Sequence, residues 1–172
     1  MSEEDFDRQY ADRATDRTKG DGEPNPVLNA LSNAVAKVRA DDDMLELAKA
    51  HESLNPRAIE KLSVADARRE PTMADAVRTL LTQQGRSTRP EDLVPGVRSA
   101  AASVDGATGP LPATVYTPAG TGPFPVILYF HGGGWVIADK EVYDAGARGL
   151  AAESNAIVVS VDYRQAPEHK FP

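Results

Sequence analysis

The sequence predicts an α/β fold, in which an N-terminal helical segment precedes the first strands of a mostly parallel sheet. Two apolar runs, residues 126–130 and 156–161, have strand composition, and a stretch of helical composition from about 141 to 154 separates them. Strand, helix and strand in this order form a βαβ unit with parallel strands. The first run does not alternate with polar residues, so we expect that strand to be buried on both faces.

Composition restricts the class of protein. The chain has 172 residues, of which 41% are hydrophobic and 26% charged, enough for one domain with an apolar core. A net charge of −7 argues against nucleic acid or an anionic membrane as a partner, because both attract basic surfaces. The chain has no cysteine, which excludes disulfides and thiolate catalysis. With no signal-like or membrane-length apolar run, a soluble cytoplasmic protein without membrane insertion is expected.

Residues 1–24 are predicted to be a disordered tail. They contain eight acidic and four basic side chains and, apart from Met1, no leucine, isoleucine, valine or methionine. Such a segment buries too little apolar surface to offset its conformational entropy. The alternative interpretation is a functional arm.

Residues 25–90 are predicted to form a helical cap. Asn25 and Pro26 favour the start of a first helix, and the acidic run 41–43 favours the start of a second. Ser63 and Thr72 are predicted to cap later helices. The apolar stripes are expected to pack against other elements rather than to bind a ligand. The stripes comprise Val27, Leu28, Leu31, Val35 and Val38, then Met44, Leu45, Leu47 and Ala48, and finally Met73, Ala76, Val77, Leu80 and Leu81, before Gly85 ends the last helix.

Residues 91–172 are predicted to form the first part of the sheet domain. Residues 97–104 and 111–117 have strand composition, and the turn-rich segment 105–110 separates them. A second turn-rich connection, 118–125, leads to the apolar strand 126–130. Within the helix predicted after that strand, Ala145, Leu150 and Ala151 are the expected packing residues.

The motif that carries chemistry follows this strand directly, as His131-Gly132-Gly133-Gly134-Trp135. Three consecutive glycines cost backbone entropy, so an ordinary turn rarely uses them. Without Cβ atoms, the backbone can bring successive N–H groups close to one small oxygen atom. In acyl transfer, the carbonyl oxygen of the attacked ester gains negative charge, and each preorganised N–H donor is worth about 3 kcal/mol. The motif therefore favours an oxyanion-binding loop.

Two other interpretations of the glycines are open. A glycine-rich loop after a strand can hold a phosphate group, but that fingerprint requires G-x-G-x-x-G at the start of a helix. Here Trp135-Val136-Ile137 follows the glycines at once. A plain tight turn is the other alternative.

Together with residues 161–172, which read Val-Asp-Tyr-Arg-Gln-Ala-Pro-Glu-His-Lys-Phe-Pro, this motif resembles the hormone-sensitive-lipase-like (family IV) carboxylesterases of the α/β-hydrolase fold. The resemblance covers roughly residues 40–172 and is most specific at 126–135 and 159–172. Gln165 departs from the family, which more often has leucine there. The resemblance implies a carboxylesterase or lipase-type enzyme for short to medium acyl esters, with no metal and no cofactor.

The resemblance also implies roles for individual residues. The backbone N–H groups of Gly133 and Gly134 would bind the oxyanion, and His131 and Gly132 would hold the loop. Trp135 would line the substrate pocket. Three charged residues of the second motif, Asp162, Arg164 and Glu168, are expected to form a structural polar network, and His169 is expected to be structural as well.

The nucleophile of the family has no counterpart in the sequence. Family members use a serine in Gly-x-Ser-x-Gly, followed by the acid and the histidine of the triad. None of the nine serines has that setting. The 172 residues are thus interpreted as the N-terminal portion of such an enzyme, inactive alone, with the missing C-terminal half as the expected partner. The alternative function is a non-catalytic binding module on the same scaffold.

Overall fold

A computed structural model describes residues 41–170, and its first half is helical as predicted. The acidic run 41–43 does begin a helix. The predicted tail and the predicted first helix at Asn25 lie outside the described residues. The helices are α1 (Asp42–Ser53), a 3₁₀ turn (Ile59–Lys61), α2 (Val64–Ala67), α3 (Met73–Gln83) and α4 (Pro90–Leu93).

The helix ends follow from short polar side chains at the predicted positions. Ser63 Oγ accepts a hydrogen bond from the N–H of Asp66 at 3.1 Å and so caps α2. Thr72 and Asp75 form a reciprocal capping box at the start of α3. Each such cap satisfies N–H groups that have no partner inside the helix. Gly85, just beyond α3, has φ +64°, the left-handed conformation that ends many helices.

The second half contains four strands and one helix. Gly106 pairs with Gly109, so the predicted turn is shorter than expected and only residues 107 and 108 connect β1 to β2. The last helix begins three residues later than predicted, because the side chain of Asp139 accepts a hydrogen bond from the N–H of Val142 in a preceding turn. The elements are β1 (Val97–Gly106), β2 (Gly109–Pro118), β3 (Val126–Phe130), α5 (Asp144–Ser154) and β4 (Ile157–Val161).

The sheet has the strand order β1-β2-β4-β3. β3 and β4 are parallel and joined by α5, which confirms the predicted βαβ unit. β2 pairs antiparallel with both β1 and β4, so the described sheet is mixed rather than mostly parallel. A two-residue connection can join only antiparallel strands, whereas a helical crossover returns the chain in parallel.

The core lies between the sheet and α5. Tyr116 and Val158 on the sheet are buried against Ala147 and Ala151 of the helix. Ala151 was predicted to pack here, but Ala145 is exposed, and Ala147 takes that place one helical turn before Ala151. None of the helices within residues 41–170 has the length and apolarity that crossing a membrane requires.

The prediction that β3 is buried on both faces is wrong for the described residues. Ile127 and Tyr129 pack toward α5, but Val126, Leu128 and Phe130 are 63%, 60% and 61% exposed. Alternate residues of a strand point to opposite faces, and α5 covers only one of them. β3 is also the last strand of the described sheet, so one of its edges is unpaired.

Candidate active site

The two sequence motifs meet because they follow neighbouring parallel strands. Phe130 ends β3 opposite Val161, which ends β4. The glycine loop (residues 131–138) and the second motif (residues 162–170) therefore begin side by side at the carboxyl edge of the sheet. In open α/β sheets, this edge is where ligands bind.

The glycine loop needs its glycines for different reasons. Gly133 has φ +127°, and a Cβ atom there would lie 1.9 Å from the carbonyl oxygen of Ile137. Gly134 has φ +60° with open space around it, and a Cβ atom on Gly132 would lie 2.7 Å from the Tyr143 hydroxyl. Gly133 is therefore the position at which any side chain is excluded by backbone itself.

The peptide groups of this loop are turned in a way that leaves donors available. The carbonyl of Gly133 accepts hydrogen bonds from the N–H groups of Val136 and Ile137 at 3.1 and 3.0 Å. The N–H groups of Gly133 and Gly134 donate no backbone hydrogen bond within residues 41–170. Two adjacent amides of this kind can bind one anionic oxygen, as an oxyanion hole requires.

His131 is enclosed and faces the loop rather than the solvent. Its side chain is fully buried between the rings of Tyr163 and Tyr143, whose centroids are 4.5 and 5.8 Å from its own. The carbonyl of Gly132 lies 2.8 Å from Nδ1, so this nitrogen donates, because a carbonyl oxygen only accepts. Nε2 lies 3.8 Å from the carboxylate of Asp162. A ring held in this way orients the loop.

The three charged residues of the second motif do not form the single network that was expected. Glu168 pairs with Arg68, which follows α2 about a hundred positions earlier. Asp162 instead faces the ring of His131, and Arg164 is exposed. The strong partner of Glu168 comes from a distant part of the chain, so spacing within the motif could not identify it. Arg68 also lowers the pKa of Glu168 to about 2 through its hydrogen bonds.

A cleft of about 1150 Å³ lies between the helices and the carboxyl edge of the sheet, and all of its walls belong to the compact unit that begins at Asp43. Gly133 reaches this cleft, but Trp135 is not part of its lining and is 76% exposed. Arg57 and Glu70 form an ion pair on its rim. The apolar part of the lining comprises Ile59, Met73, Ile137, Val142, Tyr143 and Tyr163.

The sequence interpretation assigned no role to four residues at the site: Arg68, Tyr143, Tyr163 and Gln165. Tyr163 donates to the carbonyl of His131 at 2.7 Å, and the Gln165 amide donates to the carbonyls of Ile137 and Ala138 at 3.1 and 2.9 Å. For Gln165 a signal existed, since it is the polar departure from the family's leucine. Tyr163 lies within the second motif, whereas Arg68 and Tyr143 carry no local signal.

Comparison with known proteins places this geometry in a class. A family model described as alpha/beta hydrolase fold matches residues 127–172. A Pyrobaculum calidifontis esterase superposes with a TM-score of 0.53 and 34% identity, over 71% of this chain and 36% of that one. A thermostable carboxylesterase cloned from a metagenomic library superposes with a TM-score of 0.51 and 34% identity, over 67% of this chain and 36% of that one. The fold is thus that of a partial α/β-hydrolase, as predicted.

The curated relatives are esterases. Carboxylesterase NlhH of Mycobacterium tuberculosis is 40% identical over 104 residues, which are 59% of this chain and 32% of that protein. Esterase LipI of the same species is 42% identical over 81 residues, 45% of this chain and 25% of that protein. These findings confirm the resemblance to hormone-sensitive-lipase-like carboxylesterases and do not favour a non-catalytic module. The chain spans about a third or less of the length of these curated relatives.

Proposed function

We propose that this chain is the oxyanion-stabilising portion of a serine carboxylesterase that hydrolyses short to medium acyl esters. The observation that carries the proposal concerns the N–H groups of Gly133 and Gly134, which donate no backbone hydrogen bond within the described part of the chain and lie in a loop that follows β3 and reaches the cleft. The esterase relatives support the same reaction class.

The mechanism assigns a separate task to each part of the loop. A serine from the remaining part of the fold attacks the ester carbonyl, and the N–H groups of Gly133 and Gly134 stabilise the charge on its oxygen. Each donor contributes about 3 kcal/mol to the transition state. His131 and Gly132 hold the loop through the 2.8 Å hydrogen bond between them. Acyl transfer of this kind needs no metal and no cofactor.

By this proposal, residues 25–90 belong to the cap segment and residues 91–172 to the first part of the hydrolase domain. The apolar side chains of Ile59 and Met73 on the cap side, and of Ile137 and Val142 on the sheet side, are suited to an acyl chain. Trp135 lies one residue beyond the donors and outside the cleft lining, so the cleft itself does not support its expected role in lining the substrate pocket.

The partner of this chain is the remainder of the α/β-hydrolase fold, which supplies the nucleophile, the acid and the base. Its support is the edge of β3 that has no neighbouring strand among residues 41–170, together with the exposed apolar side chains of Val126, Leu128 and Phe130. We call the chain joined to that remainder the completed enzyme. A cytoplasmic location fits the acidic, cysteine-free composition.

Removing one donor without adding a side chain tests the function most directly. Glycolic acid in place of Gly134 converts the amide to an ester and removes its N–H group. In the completed enzyme, kcat for p-nitrophenyl butyrate is expected to fall by about 10² to 10³-fold with little change in KM. The same replacement at Gly120, in the connection before β3, is the matched control. Unchanged kcat in the Gly134 variant would contradict the proposed role of the loop.

A further inference from the structure

The guanidinium of Arg68 joins three segments that are far apart in sequence. Its Nε donates to the carbonyl of Val136 at 2.8 Å, in the glycine loop. One terminal nitrogen donates to the carbonyl of Ala166 at 2.9 Å, and both donate to the carboxylate of Glu168 at 2.8 and 2.9 Å. One side chain from the helical segment therefore binds both loops that follow the parallel strands.

The carbonyl of Val136 is a sensitive place to hold the glycine loop. The N–H of Val136 donates to the carbonyl of Gly133, in the turn that sets the direction of the peptide groups at 133 and 134. The next hydrogen bond in the same region runs from the N–H of Ala166 to the carbonyl of Trp135 at 2.9 Å. Arg68 thus fixes the glycine loop at Val136, the residue after Trp135, and also fixes the second motif at Ala166.

The arrangement requires arginine and is not explained by stability alone. Only a planar guanidinium presents donors in the fixed directions that two carbonyls and a bidentate carboxylate need, and a lysine ammonium cannot make this set. The Glu168 side chain is 54% exposed, and ion pairs with exposed partners contribute little to stability. We therefore interpret the four directed hydrogen bonds of Arg68 as positioning the two loops.

We propose that Arg68 is a positioning residue that couples the helical cap to the oxyanion loop. Arg68 holds the backbone of Val136 and so orients the N–H groups of Gly133 and Gly134. This inference rests on the proposed function, because it concerns the geometry of the oxyanion donors. A misplacement of about 1 Å at a reacting centre can cost 10²-fold in rate, so a lost clamp is expected to lower kcat.

The test compares Arg68→Met and Arg68→Lys with Arg69→Met in the completed enzyme. Arg69 is the adjacent residue, and among the described residues its side chain makes only an exposed ion pair with Asp66 at 3.4 Å, so it is the matched control. Arg68→Met is expected to lower kcat for p-nitrophenyl butyrate at least tenfold, with KM within about threefold. Arg68→Lys is expected to fall between Arg68→Met and the parent, and Arg69→Met to equal the parent.

Hydrogen exchange gives a readout that does not depend on activity. In Arg68→Met, the amides of residues 132–138 are expected to exchange at least tenfold faster, while those of α5 and β4 keep their parental rates. Parental kcat and parental exchange in the loop would overturn the inference, and so would faster exchange spread evenly over the whole protein. If Arg68→Met does not fold, Arg68→Lys and Glu168→Gln are judged by the same two readouts. An inactive parent with a loop that loosens in Arg68→Met would refute the proposed function while supporting the clamp.

Discussion

Alanine at Gly133 perturbs the glycine loop far more than alanine at Gly134, although both keep their N–H groups. At Gly133 the new Cβ atom would lie 1.9 Å from the carbonyl oxygen of Ile137, about 1.5 Å closer than the 3.4 Å at which ordinary contacts begin. The obstacle is backbone, which cannot rotate away as a side chain can. The turn that Gly133 closes with Val136 and Ile137 must therefore open by roughly an ångström or more.

At Gly134 the strain is smaller and local. Its φ of +60° lies in the left-handed region, and no atom is within 4 Å of the added Cβ. The cost is the left-handed conformation of an alanine, about 1–2 kcal/mol of stability. Since the loop keeps its shape, we expect kcat of Gly134→Ala to stay within about fivefold of the parent. For Gly133→Ala, we expect a loss of about 10²-fold or more.

The assay is steady-state hydrolysis of p-nitrophenyl butyrate by the completed enzyme, with thermal unfolding measured on the same samples. Gly132→Ala is a poor control, because its Cβ would meet the Tyr143 hydroxyl at 2.7 Å. A folded Gly133→Ala variant with the parental kcat would refute the reasoning. So would equal losses of kcat at Gly133 and Gly134, because the steric difference between them would then have no consequence.

Two further predictions concern charged pairs. Arg148 is buried and donates to the carboxylate of Asp144 at 3.3 Å and to the carbonyl of Val97 at 3.0 Å. Asp144→Ala leaves this buried charge without its carboxylate and is expected to destabilise the protein by about 3–5 kcal/mol in urea unfolding. Glu153→Ala, on the exposed side of the same helix, is the control. Arg68 lowers the pKa of Glu168 from 4.5 to about 2. The stability that Glu168→Gln removes should therefore be fully present above pH 4.5 and vanish as the pH falls toward 2. A difference in unfolding free energy between parent and variant that does not change with pH would contradict this.

Local signals explain what the sequence could predict. Capping at Ser63 and Thr72 needs only residues three positions apart, and the βαβ unit follows from two apolar runs with a helix between them. The meeting of the two motifs could be expected as well, since the loops after adjacent parallel strands share one edge. All of these depend on neighbours in the chain or on a general rule of topology.

Long-range partners explain what the sequence could not predict. Arg68 carries the same charge as Arg69, and nothing in their spacing indicates which of them reaches Glu168. The exposed face of β3 was also missed, because an unbroken apolar run has the same composition whether or not both of its faces are covered. Burial depends on the elements that pack around a strand, and among the described residues Val126, Leu128 and Phe130 stay largely exposed.

The exposed face of β3 leads to a last prediction about Leu128. Its side chain is 60% exposed in the described residues, whereas Ile127, one position earlier, packs against the core under α5. Full burial of a leucine is worth about 1.5–3 kcal/mol, so roughly 1–2 kcal/mol remains to be gained where another element covers Leu128. Leu128→Thr is therefore expected to destabilise the completed enzyme by at least this amount in urea unfolding.

In the 172-residue chain, the same Leu128→Thr change is expected to raise the soluble yield, because it removes exposed apolar surface on a strand that is the last of the described sheet. Ile127→Thr, the matched control, is expected to lower the stability of the completed enzyme and the soluble yield of the chain alike, since its side chain is packed in both. If Leu128→Thr left the completed enzyme as stable as its parent, no element would cover this face. The remainder of the fold would then have to join the chain at another surface.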